Sequence, residues 1–207
     1  LFQPLEQQAA RQELKRLGKR VRRMVKEVMP TAITGSRADL ERIAEMDKVV
    51  DARHMFIIEY LGKISLTNLT KRQSKELMQL AEAANGLEYI GDRIATGLVT
   101  SASKRIDEEV TVSPQTAEVI NNYHALVSRT LDDALKAVIT QDSVLADQVR
   151  RRKKDLSRMA REITAHGLDR LTADEPNRLK TYAREMEVIE IFDGIFTVAR
   201  RMAQTQT

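Results

Sequence analysis

Apolar residues return every three or four positions along almost the whole chain, and this spacing constrains the fold more than any other feature. A repeat near 3.5 residues lays one apolar stripe along a helix, because i, i+3, i+4 and i+7 share a face. The first stripe is Leu14, Leu17, Val21, Met24 and Val28, and Pro30 is expected to close that helix. The second, announced by Ser36 as a cap, is Leu40, Ile43, Asp47, Val50, His54, Ile57, Leu61 and Ile64. The third follows Thr67-Asn-Leu-Thr70 and carries Leu77, Leu80, Ala84, Leu87, Gly91, Ile94 and Leu98. Ser113-Pro114 opens the fourth, with Ile120, Tyr123, Val127, Thr130, Ala134 and Ala137, and Pro suits the first helical position. The fifth runs from about Ser143 to Gly167 through Leu145, Val149, Arg152, Leu156, Met159 and Ile163. Asp174-Glu-Pro176 opens the sixth, which carries Leu179, Met186, Ile189, Ile195 and Val198.

No β-branched run sits between turn signals at hairpin spacing, so no strand is expected. Only 8 Gly and 4 Pro in 207 residues leave few turns, and the helices should be long. The expected fold is all-α: six long antiparallel helices joined by short connectors. An internal echo divides them. Ile90-Gly-Asp-Arg-Ile-Ala95 resembles Ile191-Phe-Asp-Gly-Ile-Phe196, about half the chain away. Two tandem three-helix bundles are therefore expected, over residues 1–108 and 109–207.

Several function classes drop out. There is no Cys, so neither a disulfide framework nor a thiolate metal site can form. No apolar run approaches the roughly 18 residues of a membrane span, and no signal peptide is visible. No Ser lies in a strand-to-helix elbow and no Gly-rich loop precedes a helix, so nucleophilic catalysis and a phosphate loop have no support. Residues 1–26 hold eight Lys and Arg against two Glu, in a chain whose net charge is only +4. That face is a solvated surface, a polyphosphate surface, or a segment (residues 11–26) against anionic lipid. Nucleic acid is not expected as a partner, because Trp is absent and no aromatic interleaves with the basic run.

The strongest chemical signal is acidic. Asp47 and Asp51 lie one helical turn apart on the second helix, and Glu88 and Asp92 repeat that spacing on the third. Like charges at i, i+4 repel, so two such pairs on neighbouring helices call for protons or a cation. Oxygen donors favour a hard divalent or trivalent ion, and iron becomes plausible with an added imidazole such as His54. The plain alternative is a pairing of Asp47 with a Lys or Arg across the seam, with His54 a satisfied core histidine. His124 and His166 lack acidic partners at ligand spacing and read as structural. Gly86, Gly91 and Gly97 inside the third helix suggest close helix approach, or room beside Glu88 and Asp92.

Asp47-Lys-Val-Val-Asp51 and Leu87-Glu-Tyr-Ile-Gly-Asp-Arg93 together resemble the PhoU family. That resemblance implies two three-helix repeats, a regulatory role in phosphate uptake, and metal held at Asp47, Asp51, Glu88 and Asp92. The stretch Tyr60-Leu-Gly-Lys-Ile-Ser-Leu-Thr-Asn-Leu-Thr70, with Ala84-Asn-Gly-Leu-Glu88, is similar to the PhoU-like region of bacterial sodium/phosphate cotransporters. The second repeat departs from the pattern. Arg151-Arg-Lys-Lys-Asp155 stands where an acidic pair is expected, and Ile189 stands four residues before Asp193. Metal is therefore expected in the first repeat and not in the second.

Three functions follow as expectations. The first is a non-enzymatic regulatory domain of a sodium-dependent phosphate transporter, at the cytoplasmic face of the bacterial inner membrane. It would contact the transmembrane segment in cis or in trans, and a homo-oligomer is allowed. The start at Leu1 rather than Met favours that reading. The second is a free-standing PhoU-type phosphate-signalling regulator. The third is a dimetal-carboxylate redox enzyme, whose particular support is Asp51-x-x-His54.

Overall fold

Short polar caps set where the helices begin. The computed structural model describes residues 3–171 and 177–204. Helix α1 spans Gln3–Thr34 and α2 spans Arg37–Ser65. Between them the Ser36 side chain accepts from the Asp39 amide at 3.3 Å, and the Ser36 amide donates back to the Asp39 carboxylate at 3.0 Å. This reciprocal box satisfies two amides that have no partner within the helix. Thr70 and Gln73 repeat the device at the start of α3, Lys71–Asp92. Ser113 caps α5, Pro114–Thr140, with Pro114 in its first turn.

The third long helix continues beyond α3 through a π-helical segment, Arg93–Leu98, into α4, Val99–Asp107. All junction residues keep right-handed helical backbone angles, so the chain does not turn there. Ile94 and Leu98 within the π segment, and Ala102 beyond it, are buried.

The fifth long helix is split. Asp142 caps α6, Ser143–Arg151, and α7 follows as Lys153–Leu171, past the expected end at Gly167. At Arg152 the amide donates to Val149 O at 3.3 Å, a local tightening of the turn. Helix α8 is Arg178–Gln204. The expected opening of this helix at Asp174-Glu-Pro176 lies outside the described residues.

Pro30 does not end α1, contrary to the sequence expectation; the helix runs four residues further. Thr31 Oγ1 donates to Glu27 O at 2.9 Å and Thr34 Oγ1 to Pro30 O at 3.1 Å. Ala32 packs in a small cluster with Leu40 and Ala102. A proline one turn from a helix end removes one backbone bond, and packing of the last turn offsets it.

The result is the all-α, six-helix architecture with no strand among the described residues. One hydrophobic core runs through both halves. Leu14, Leu17, Val21, Met24 and Val28 of α1 join Tyr123, Val127 and Leu131 of α5 and Phe192, Ile195 and Phe196 of α8. Helix α1 packs on α2, α3 and α5, and α5 packs most extensively on α8. The halves are thus fused side by side, with the connector after α4 turning at Glu109, whose φ is 52°.

Candidate functional site

Helices α2 and α3 pack against one another and carry the two acidic pairs on facing surfaces. Asp47 sits deepest. Its Oδ1 is buried and has no hydrogen-bond partner. The room for it comes from Gly91: a Cβ added there would lie 2.5 Å from Asp47 Oδ1 and 3.1 Å from Val50 Cγ1. Glu88 is half-buried, whereas Asp51 and Asp92 are exposed. The structure therefore gathers all four carboxylates into one patch, with Asp47 at its floor.

The electrostatics follow from that placement. Burial pushes the Asp47 carboxyl up to about 6, and the charges of Asp51, Asp92 and Glu88 add to the effect. Among the described residues no Lys or Arg offsets them at Asp47. Lys48 is held by Glu45 at 2.6 Å, and Arg93 lies with its guanidinium near Gly194 of α8. The pairing of Asp47 with a cross-seam cation is not what the fold provides.

The donor chemistry fits a hard cation: four oxygen-bearing groups, one of them with an orphaned buried oxygen, and no counter-charge on Asp47 among the described residues. The side chains as placed do not form a closed cage. Among the described residues no group of three or more His, Asp or Glu is drawn together at ligand spacing. Capture would take a rotation of the exposed Asp51 and Asp92 toward Asp47.

A pH prediction arises here. With its folded value at about 6 against an ordinary 3.8, Asp47 keeps a proton in the folded state that the unfolded chain has released. Its contribution to stability is complete below about pH 4 and is lost as pH rises through about 6. In chelator-treated protein, Asp47→Asn should raise stability at pH 8 by about 1–2 kcal/mol, after allowance for solvent screening. It should change little at pH 4. Urea midpoints at the two pH values check this, and an equal shift at both would contradict it.

His54 is not aimed at the carboxylates. Its Nε2 lies 2.8 Å from Asn85 Oδ1, tying α2 to α3. This is the satisfied histidine of the plainer reading. His124 Nε2 meets Val25 O at 2.6 Å, and burial holds its ring below the usual histidine range.

The second half is arranged differently. Asp155, Glu190 and Asp193 are exposed, and Asp155 faces Arg158 at 3.5 Å. Arg151 is met by Asp147 at 2.7 Å and Arg152 by Asp133 at 2.5 Å. Asp193 lies close enough to Tyr123 to help burial raise its phenol. The π segment is not among the sequence expectations; Gly91, two residues before it, and Gly97, within it, are its only trace. Gly97 is used for close approach, since a Cβ there would come within 2.8 Å of Ile191 on α8.

A six-helix bundle with a carboxylate patch between α2 and α3 defines a helical-module class, and among the described residues no helix is long and apolar enough to cross a membrane. The chain belongs to the PhoU family: the PhoU domain matches residues 14–96 and again 120–204. No curated protein sequence matches it. Among solved structures, PhoU from Pseudomonas aeruginosa is similar at a TM-score of 0.89 and 18% identity, over 100% of this chain and 97% of that one. The phosphate transport system regulatory protein PhoU from Streptococcus pneumoniae is similar at 0.85 and 14% identity, over 99% and 94%. At these identities the likeness is one of fold.

Proposed function

We propose that this chain is a phosphate-signalling regulator of the PhoU type. It acts on phosphate uptake through contact with a transporter and not through catalysis. The observation that carries this reading is the double PhoU-domain match, supported by a fold shared along nearly the full length of both solved PhoU chains. The test is genetic. Expressed in a bacterium lacking its own PhoU-type regulator, the chain should restore the low phosphate uptake of phosphate-replete cells. Unchanged uptake, with the protein present and folded, would refute it.

The reading as the cytosolic region of a sodium-coupled cotransporter is the second one. It rests on the sequence of residues 60–70 and 84–88. Co-purification with a membrane-embedded transporter on the same polypeptide would decide for it.

The cofactor reading belongs with the first. Asp47, Asp51, Glu88 and Asp92 would hold a divalent or trivalent cation, iron being favoured, which would neutralise the patch and lock α2 to α3. Asp92→Asn should lower the metal content of protein purified without chelator several-fold, since each lost carboxylate weakens a hard-ion site. Asp193→Asn should leave it unchanged. Equal losses in the two variants would show that the site is not confined to the first repeat.

A further inference from the structure

The basic run of α1 does not lie on a convex surface. It lines a groove where α1 packs against α5. Two adjoining hollows, of about 630 and 570 Å³, share Lys19, Arg22 and Asp132. Lys15, Lys19, Arg22 and Lys26 form one stripe along α1, about 17 Å long at 1.5 Å per residue, and Lys136 faces them from α5.

Part of this charge is already met. Arg16 pairs with Glu13, Arg22 with Asp132, and Arg23 with Glu27 at 2.6 Å. Lys15, Lys19, Lys26 and Lys136 have no ion-pair partner among the described residues, and all four are exposed. In a chain of net charge +4, six of the eight basic residues of 1–26 line this groove, Arg11 (paired with Glu76) and Arg20 being the two that do not. Such a groove focuses the field on an anion.

The apolar inventory says what kind of anion. An amphipathic helix docking in a groove needs apolar anchors, and an interfacial membrane segment needs apolar side chains to insert. The apolar residues of the groove floor, Val25, Leu131, Leu135 and Ile139, are buried or half-buried between α1 and α5, and the exposed large apolar residues, such as Met55 and Phe56 on α2 and Met78 and Tyr89 on α3, lie elsewhere. Base stacking also lacks a platform, since the groove has no Phe, Tyr or Trp, and the His124 ring is turned onto Phe192 at 5.4 Å. From these observations we infer that the α1/α5 groove binds a chain of linked phosphates. The ligand chemistry is the phosphate chain itself, whether inorganic polyphosphate or the triphosphate of a nucleotide. Lysines suit it, because each acts as a point charge with no fixed fork geometry. The site stands on charge and shape, and its failure would leave the regulatory reading intact.

Calorimetry on the full chain tests it, with inorganic polyphosphate, tripolyphosphate, ATP, orthophosphate, a single-stranded oligonucleotide and equimolar phosphatidylglycerol–phosphatidylcholine vesicles. Polyphosphate should bind saturably and orthophosphate should not. Tripolyphosphate and ATP should bind alike, which assigns recognition to the phosphates; tighter ATP binding would overturn that assignment. Four unpaired cations predict a log–log salt slope near about −3, by analogy with single-stranded polyanions. Lys19→Glu with Lys136→Glu should weaken polyphosphate binding at least about tenfold. The control pair Lys71→Glu with Lys75→Glu, on exposed positions of α3, should change it less than about twofold. Circular dichroism establishes that both pairs fold. No saturable binding, equal loss in the control pair, or oligonucleotide binding as tight as polyphosphate would overturn the inference. Binding to anionic vesicles alone would also overturn it and assign the face to a membrane surface.

Discussion

Phe192→Ala should lower the unfolding free energy by about 3–5 kcal/mol, the largest effect expected of any single truncation in this chain. Phe192 is wholly buried at the α5–α8 contact. Its ring stands edge-on to Tyr123, with centroids 6.5 Å apart and planes at 64°, and lies 5.4 Å from His124. Truncation loses the transfer free energy of the ring and leaves a cavity that two long, rigid helices cannot close. Because one core joins both halves, the loss should appear as a lower midpoint of a single urea transition with an unchanged slope. Phe192→Leu, which keeps most of the volume, should cost under about 2 kcal/mol. If the alanine variant lost less than about 1 kcal/mol, or if a second transition appeared, the shared core would be the wrong description.

The second large effect concerns a charge pair between α1 and α3. Glu76 is only 8% exposed, and Arg11 grips one of its oxygens, with Nε at 2.7 Å and Nη2 against the same atom. Arg11→Met strands a buried carboxylate and should cost about 3 kcal/mol at pH 7. Glu76→Gln leaves a half-exposed guanidinium that water can reach, and should cost about 1 kcal/mol. The double variant should be more stable than Arg11→Met alone, because it buries an amide where the single variant buries a charge. A double-mutant cycle by chemical denaturation checks this. Simple additivity of the two losses would show that the pair is a surface contact with no coupling.

The family's acidic motif was legible from residue types alone, since i, i+4 spacing puts Asp47 with Asp51 and Glu88 with Asp92 on shared helix faces. How far each carboxylate is from water was not. Asp47 owes its raised pKa to the hollow at Gly91, on a different helix, and no pattern within α2 announces that contact. His54 shows the same limit. Its place in the α2 stripe allowed either a metal ligand or a core residue, and the Asn85 amide opposite it made it a hydrogen-bonding strut.

What the sequence by itself determined is local. Capping residues at Ser36, Thr70 and Ser113 start helices where their side chains can take an orphaned amide, and the apolar period sets which face is buried. What the tertiary structure decided depends on contacts between residues far apart in the chain. Pro30 is carried inside α1 because Ala32 packs on Leu40 and Ala102. Arg93–Leu98 widens into a π turn along a third helix packed against both α2 and α8. The basic face of α1 becomes a groove because α5, about a hundred residues later, lies beside it. Capping and periodicity act over one or two turns of chain, whereas packing is settled when all six rods must fill one core at close-packed density.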